Sequence, residues 1–160
     1  MHTNTHTVEI ECPAAAVFPY LAAPECRLQW MGALAASEQV TDGELGVGTR
    51  FRDVFEDHGQ RIELDAEIVE YEPNRRLATR LSAAQFESTA RQELAETGRH
   101  TSVTTTIATE YKSRVARIMA GVITRHAQRR LEEDLARLKA LVERGAMESG
   151  SAGGARTPLA

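Results

Sequence analysis

The feature that most constrains this 160-residue chain is the alternation of apolar and polar residues in the segment 60–71, which is strict between positions 61 and 68. The apolar set is Ile62, Leu64, Ala66 and Ile68, and the charged set is Arg61, Glu63, Asp65 and Glu67. A period of two places the two sets on opposite faces of a β-strand. One face then contacts a core and the other contacts water, as in an antiparallel sheet that is covered on one side.

Six further segments are typical of strands. Their ranges are 7–11, 34–40, 48–56, 75–82, 86–96 and 101–111. Short runs of turn residues separate them, including a predicted hairpin turn at 57–59 in which Gly59 supplies positive φ. Pro73 lies in the next turn. The sequence therefore predicts an antiparallel sheet of about seven strands.

Helical patterns surround these strands. Two short helices are predicted at 14–23 and 25–31, and a long helix at 113–144. The apolar stripe of the long helix shifts between His126 and Leu131, because a step of five residues replaces the usual three or four. Either this helix bends near Gly121, or its two halves contact the body differently. The Gly-, Ala- and Ser-rich segment 145–160 is predicted to be a disordered tail after a domain at 1–144.

The bulk composition is typical of one soluble α+β domain. Apolar residues make up 42% and charged residues 26% of the chain, and no apolar run approaches the ~20 residues that span a bilayer. The first seven residues contain no Lys or Arg before an apolar stretch, which predicts no signal peptide and a cytoplasmic protein. Cys12 and Cys26 are expected to be two reduced thiols.

Charge is unevenly distributed. The net charge is −4, yet the segment 112–130 contains no acidic residue and six basic ones: Lys112, Arg114, Arg117, Arg125, Arg129 and Arg130. The ordinary explanation is that this segment docks on the acidic body of the same chain. The alternatives are an anionic ligand, a membrane surface or nucleic acid.

Several local sequences carry a resemblance to a known superfamily. They are V-E-I-E-C-P-A-A-A-V-F-P-Y-L-A at 8–22, Trp30, G-E-L-G-V-G-T-R-F at 43–51, and A-E-I-V-E-Y-E-P-N-R-R-L at 66–77. With the element order, they resemble the START-like (SRPBCC) superfamily, which includes the Bet v 1-type proteins and the polyketide cyclase/dehydrase family. The resemblance covers residues 7–144 and departs at 97–101, where Thr-Gly-Arg-His-Thr replaces the usual Gly-Gly-Thr. It implies a helix-grip fold, in which a curved sheet wraps around the long helix.

The resemblance also implies an internal cavity, and strand alternation indicates which side chains would face it. The predicted ligand-binding residues on the strands are Phe51, Phe55, Leu64, Thr79, Leu81, Ser88, Ala90, Gln92, Thr105 and Ile107. Those predicted on the helices are Tyr20, Trp30, Met119 and Val122. Hydroxyl and amide groups among apolar side chains are costly in a packed core but common in a ligand site.

Two residues are candidates for acid/base chemistry. Asp53 lies between Phe51 and Phe55, so alternation turns its carboxylate inward, and burial there would suit a general acid or base. The alternative is an ion pair with an arginine, or a bulge that returns Asp53 to solvent. His126 lies on the apolar stripe of the long helix, where a satisfied core histidine is the ordinary role. The sequence has no metal-ligand spacing, nucleophile elbow, P-loop or dinucleotide fingerprint, so no metal or cofactor is predicted.

Three functional hypotheses follow. The leading one is binding of a hydrophobic small molecule, such as a lipid, an isoprenoid or an aromatic polyketide, by a monomer or homodimer. The second is a polyketide cyclase/aromatase or dehydratase that uses Asp53 and His126. The third is docking of the basic first half of the long helix to a membrane or a nucleic-acid-containing particle, with nucleic acid the less favoured partner.

Overall fold

The computed structural model describes residues 1–57 and 59–156, without the side chains of residues 120 and 149–156. His58, in the predicted hairpin turn, and residues 157–160 of the predicted tail lie outside the described residues. The elements in chain order are β1 (His2–Ile10), α1 (Ala14–Ala22), α2 (Pro24–Trp30), β2 (Leu34–Gln39), β3 (Arg50–Asp57), β4 (Gln60–Glu72), β5 (Arg76–Ser82), β6 (Phe86–Thr97), β7 (His100–Tyr111), α3 (Arg114–Ile118) and α4 (Ala120–Arg156).

All seven strands form one antiparallel sheet, in the order β1-β7-β6-β5-β4-β3-β2. Sequential strands from β2 to β7 are neighbours, and β1 closes the row by pairing with β7. The predicted hairpin between β3 and β4 forms, with Asp57 opposite Gln60 and Gly59 at a φ of +79°. The predicted α+β fold with about seven strands is confirmed.

The core lies between one face of the sheet, called here the inner face, and the helices. Residues 120–130 of α4 are called here its first half and residues 131–142 its second half. The core side chains from the helices come from α1, α2 and the second half of α4: Val17, Phe18, Leu21, Ala22, Trp30, Leu131, Leu135, Leu138 and Val142. The strands contribute Ile10, Phe51, Leu64, Ala66, Ile68, Leu77 and Val103. The second apolar stripe predicted for the long helix is therefore core packing.

Polar contacts fix the second half of α4 against α2. Asp134 Oδ1 accepts hydrogen bonds from the backbone N–H of Gly32 and from Arg137 Nη1, each at 3.0 Å. Arg137 Nη1 also donates to the carbonyl oxygen of Trp30 at 2.8 Å. Burial raises the pKa of Asp134, although both partners act to lower it.

The long helical region is interrupted before the position at which its apolar stripe shifts. Helix α3 ends at Ile118 and α4 begins at Ala120, so the break falls at Met119, close to the predicted bend at Gly121. Ser113 caps α3, because its Oγ accepts a hydrogen bond from the backbone N–H of Ala116 at 3.1 Å. Helix α4 continues to Arg156, beyond the predicted end at Arg144. The division into a domain at 1–144 and a disordered tail stays a prediction.

One end of the sheet is called here the open end. It contains the start of β1, the end of β7 and the turns β3–β4 and β5–β6, as the strand registers require. There the first half of α4 passes over the sheet without joining the core cluster. No helix in the described part of the chain is both long and apolar enough to cross a bilayer.

Candidate functional site

The inner face carries a row of polar side chains across its centre. Residues paired across antiparallel strands point to the same side, so the register places His6, Thr105 and Gln92 side by side. The next row toward the open end contains Asn4, Ile107, Ala90 and Thr79, and the following one contains His2, Thr109, Ser88 and Leu81. The structure thus groups the predicted strand residues on one face.

These residues differ in how much solvent reaches them. Phe51, Leu64, Ser88, Gln92 and Thr105 are buried. Phe55, Thr79, Leu81, Ala90 and Ile107 are partly exposed although they lie on the same, helix-covered face. Solvent therefore reaches the inner face toward the open end, where α4 leaves the core.

Residues 124–130 of α4, called here the bridge segment, cross this open end. On one side Asn4 Nδ2 donates to the carbonyl oxygen of Thr124 at 3.0 Å and to Gln128 Oε1 at 3.1 Å. On the other side His126 Nε2 lies 3.1 Å from Asp57 Oδ2, and Arg130 also contacts that carboxylate. The bridge segment therefore connects β1 to β3 and forms one rim of the opening.

Thr105 carries a buried hydroxyl group on the inner face that lacks a partner in the described part of the chain. It is 3% exposed, and its hydroxyl oxygen has no hydrogen-bond partner among the described residues. Its neighbours on the same face are Gln92, also buried, and His6. One row further out, Ser88 and Thr109 satisfy each other through a 2.6 Å hydrogen bond. A buried hydroxyl without a partner costs free energy, and an oxygen or nitrogen atom of a ligand would remove that cost.

Asp53 is buried, as the alternation predicts, but it is not a free acid or base. The carboxylate is fully buried, and its Oδ2 lies 2.7 Å from Arg27 Nη2. Its Oδ1 accepts a 2.6 Å hydrogen bond from Ser37 Oγ. The guanidinium of Arg27 also lies 5.5 Å from the centre of the Phe51 ring. The arrangement corresponds to the arginine ion pair, which was the alternative role for Asp53.

His126 does not face the core. Its side chain is 48% exposed, and its described contacts are with Asp57 and Arg130 in the bridge region. The structure thus gives Asp53 and His126 different partners, and the acid/base pair that they would form across the cavity is not present. The step of five residues between His126 and Leu131 marks this change of environment.

The four helix residues predicted to bind ligand occupy different regions. Trp30 belongs to the packed core at 4% exposure, with Nε1 donating to the carbonyl oxygen of Tyr20 at 2.7 Å. Tyr20 packs against the core near the C-terminal half of α4, where its hydroxyl lies close to Gly145. Met119 and Val122 are 48% and 60% exposed. Their assignment to the ligand site stays a prediction.

A reactive thiol, a metal centre and a second apolar pocket each find little support among the described residues. Burial raises the pKa of both thiols, Cys12 and Cys26, so each is protonated and weakly nucleophilic at neutral pH. Among residues 1–57 and 59–156, no three His, Cys, Asp or Glu side chains are grouped to hold a metal ion. An open depression of about 610 Å³ is lined by Arg52, Glu63, Leu64, Asp65, Ser82, Ala83 and Ala84, and its charged side chains make it unsuited to an apolar ligand.

Sequence reasoning missed the contribution of residues 2–6 to the first strand. Strand β1 begins at His2, five residues before the predicted start, and places His2, Asn4 and His6 on the inner face. A signal was present, because Thr3, Thr5 and Thr7 continue the alternation with a β-branched residue at every second position. The partner of Asp53, Arg27, was also missed.

Comparison with known proteins agrees with this geometry. The chain matches the family described as "Polyketide cyclase / dehydrase and lipid transport" over residues 1–143. None of the curated protein sequences matches it. Its fold is similar to that of a START superfamily protein from Mycobacterium smegmatis, at a TM-score of 0.76 and 20% identity over 90% of this chain and 99% of the other.

Two further solved structures share the fold. The Zhui aromatase/cyclase from Streptomyces sp. R1128 has a TM-score of 0.75 at 17% identity, over 89% of this chain and 94% of its own. A protein from Thermus thermophilus has a TM-score of 0.75 at 18% identity, over 88% of this chain and 97% of its own. The helix-grip fold and the START-like resemblance are thereby confirmed. The chain belongs to the polyketide cyclase/dehydrase and lipid transport family.

Proposed function

We propose that this protein binds an apolar small molecule in the space between the bridge segment and the inner face of the sheet. The observation that carries the proposal is the buried, unpartnered hydroxyl of Thr105 beside the partly exposed side chains of Ala90 and Ile107. Ligand sites commonly combine an apolar wall with a few placed polar groups. The ligand is therefore apolar over most of its surface and carries an oxygen function.

The class of ligand follows from these requirements and from the family. A lipid, an isoprenoid or an aromatic polyketide would each bring a large apolar surface and at least one hydroxyl or carbonyl oxygen. The family description itself joins polyketide chemistry with lipid transport. Binding, rather than catalysis, is favoured because the Asp53 carboxylate is engaged in an ion pair with Arg27.

Filling the space with a larger side chain tests the proposal. We expect Ala90→Trp to weaken binding of prodan, an apolar fluorophore with one ketone, by about tenfold or more, because the indole occupies the proposed site. The matched control is Ala108→Trp. Ala108 lies on the neighbouring strand with similar partial exposure but points to the outer face, so its variant should bind prodan as the wild type does.

Both variants must first give the wild-type circular dichroism spectrum. If Ala90→Trp does not fold, Ala90→Leu makes a smaller intrusion at the same place. Equal binding of prodan by wild type and both inner-face variants would contradict the proposal, and so would a wild-type protein that binds no prodan. Native mass spectrometry of the purified protein would identify any compound that co-purifies.

The Thr105 hydroxyl supports a second, independent prediction. Thr105→Val keeps the shape and removes the unpartnered oxygen, so we expect the ligand-free protein to gain about 1 kcal/mol of unfolding free energy, measured in urea. The same variant should bind prodan about five- to tenfold more weakly, because a hydrogen bond to the ketone is lost. Its affinity for pyrene, which has no hydrogen-bonding atom, should be unchanged. Equal weakening for both probes would count against a polar contact at Thr105.

Catalysis is the second candidate function, and one contact favours it. His126 Nε2 and Asp57 Oδ2 lie 3.1 Å apart at the rim of the proposed site, and a histidine oriented by a carboxylate is a common general base. Such a pair would suit a cyclisation or dehydration of a poly-β-ketone. Turnover by the wild type that His126→Ala abolishes without changing prodan affinity would favour catalysis over binding alone.

A further inference from the structure

Exposed apolar side chains are concentrated just before the bridge segment. The described part of the chain has ten exposed large hydrophobic residues, and five of them fall within the nine positions 115–123. They are Val115 (73% exposed), Ile118 (81%), Met119 (48%), Val122 (60%) and Ile123 (37%). Single exposed apolar residues are normal on a protein surface, but a contiguous group marks a site of interaction. We call residues 115–123 the apolar cap.

Basic residues border the apolar cap on both sides. Lys112 and Arg114 precede it, Arg117 lies within it, and Arg125 and Arg129 follow it, all of them exposed. Within the part of the chain that the structure describes, none of these five is paired with a carboxylate. Two of them donate to backbone carbonyl oxygens instead, Lys112 to Ala83 at 3.1 Å and Arg117 to Tyr111 at 3.1 Å.

Docking on the acidic body of the same chain does not account for these charges. Among the residues that the structure describes, Arg130 alone of the six basic residues contacts a carboxylate of the body, that of Asp57. The other five keep their positive charge at the surface around the apolar cap. A partner that satisfies both features must offer negative charge and an apolar layer within a few ångströms of each other.

We propose that the apolar cap and its basic border dock on the surface of an anionic phospholipid bilayer. Aliphatic side chains of an interfacial segment enter the boundary between headgroups and acyl chains, while Lys and Arg contact the anionic headgroups. Nucleic acid would match the charges but leave five aliphatic side chains without an apolar partner. A second copy of this chain would cover those side chains but bring two sets of five positive charges together.

The position of this surface has a consequence for ligand exchange. The apolar cap runs directly into the bridge segment, which forms one rim of the opening, so a docked protein holds the opening beside the bilayer. An apolar compound could then pass between bilayer and protein without crossing water. This consequence rests on the proposed ligand binding, whereas the docking itself does not.

Co-sedimentation of the full-length protein with vesicles tests the docking. We expect binding to vesicles in which about a quarter of the lipid is phosphatidylglycerol, and little binding to phosphatidylcholine alone. Binding should weaken as salt rises from about 50 to 200 mM, since the Debye length shortens. Val115→Asp should reduce vesicle affinity about tenfold or more. Val47→Asp is the matched control, because Val47 is equally exposed at 70% but lies in the loop before β3.

Charge variants separate the two contributions. Arg125→Glu with Arg129→Glu should also reduce affinity for the anionic vesicles about tenfold or more, whereas Arg61→Glu on the outer face should not. An equal loss of vesicle affinity in Val47→Asp and Val115→Asp would overturn the proposal. Failure of the wild type to bind anionic vesicles would also overturn it. Concentration-dependent dimers that Val115→Asp abolishes, without vesicle binding, would identify a second copy as the partner instead.

The proposed ligand binding can be tested separately from the docking. Ala90→Trp should bind vesicles as the wild type does, because Ala90 lies on the inner face and not on the apolar cap. If the wild type binds prodan but not vesicles, only the proposed docking is contradicted. If it binds vesicles but neither it nor the variants bind prodan, only the proposed ligand site is contradicted.

Discussion

Replacement of Arg27 by alanine is expected to lower the free energy of unfolding by about 3–5 kcal/mol, as measured by urea denaturation. The Asp53 carboxylate is fully buried, and Arg27 provides its only described counter-charge, at 2.7 Å. After the substitution, the Ser37 hydroxyl alone would stabilise a buried negative charge. The contact of the guanidinium with Phe51 would also be lost.

Two control variants test whether the loss of stability comes from the unpaired buried charge. Arg61→Ala removes an arginine that is 61% exposed and lies near Glu56 and Glu63, so it should change stability by no more than about 0.5 kcal/mol. The double variant Arg27→Met with Asp53→Leu removes both buried charges together and should cost less than Arg27→Ala alone. A double variant as unstable as the sum of its single changes would contradict the expected coupling.

A second large effect is expected in the long helix. Leu138→Ala should lower the free energy of unfolding by about 2–5 kcal/mol, because Leu138 is fully buried and its removal leaves a cavity. Val122→Ala, in the same helix but at 60% exposure, should change it by no more than about 0.5 kcal/mol. The measurement is urea denaturation of both variants under one set of conditions.

The costs of Val122→Ala and Leu138→Ala in unfolding free energy also test whether the first half of α4 is exposed. If Val122→Ala cost as much as Leu138→Ala, the apolar cap would be packed against the body of the protein rather than exposed. The docking surface would then not exist in the ligand-free protein. A small cost for Leu138→Ala would instead contradict the core assigned to the second half of the helix.

The sheet and its inward-facing residues could be predicted because strand alternation is a local property. The alternation at 60–71 placed Leu64 and Ala66 inside, and the pattern around Phe51 placed Asp53 inside as well. What the carboxylate contacts could not be predicted in the same way. Arg27 lies 26 positions earlier, on a short helix whose docking depends on tertiary packing rather than on any repeat.

The long helix illustrates a different limit. The phase shift after His126 predicted that the two halves differ, and the break at Met119 and the exposure of Val122 agree with that prediction. The pattern favoured ordinary core packing for the second half and a cavity-lining role for the first half, but it could not indicate that Val122 and its neighbours are exposed, because an apolar stripe at helical spacing is typical of a covered face. Only the contacts of Asn4 and Asp57 with the bridge segment reveal its position across the open end.

The way in which the bridge segment is attached has consequences for how the interior is reached. Its connection to β1 is the pair of hydrogen bonds from the buried side chain of Asn4. Its connection to β3 is made by partly exposed side chains, and ion pairs of that kind contribute little to stability. Leu131, Leu135 and Leu138, by contrast, are anchored among apolar neighbours. We therefore expect the helix before Leu131 to detach from β1 and β3 in local fluctuations that leave the rest of the protein folded.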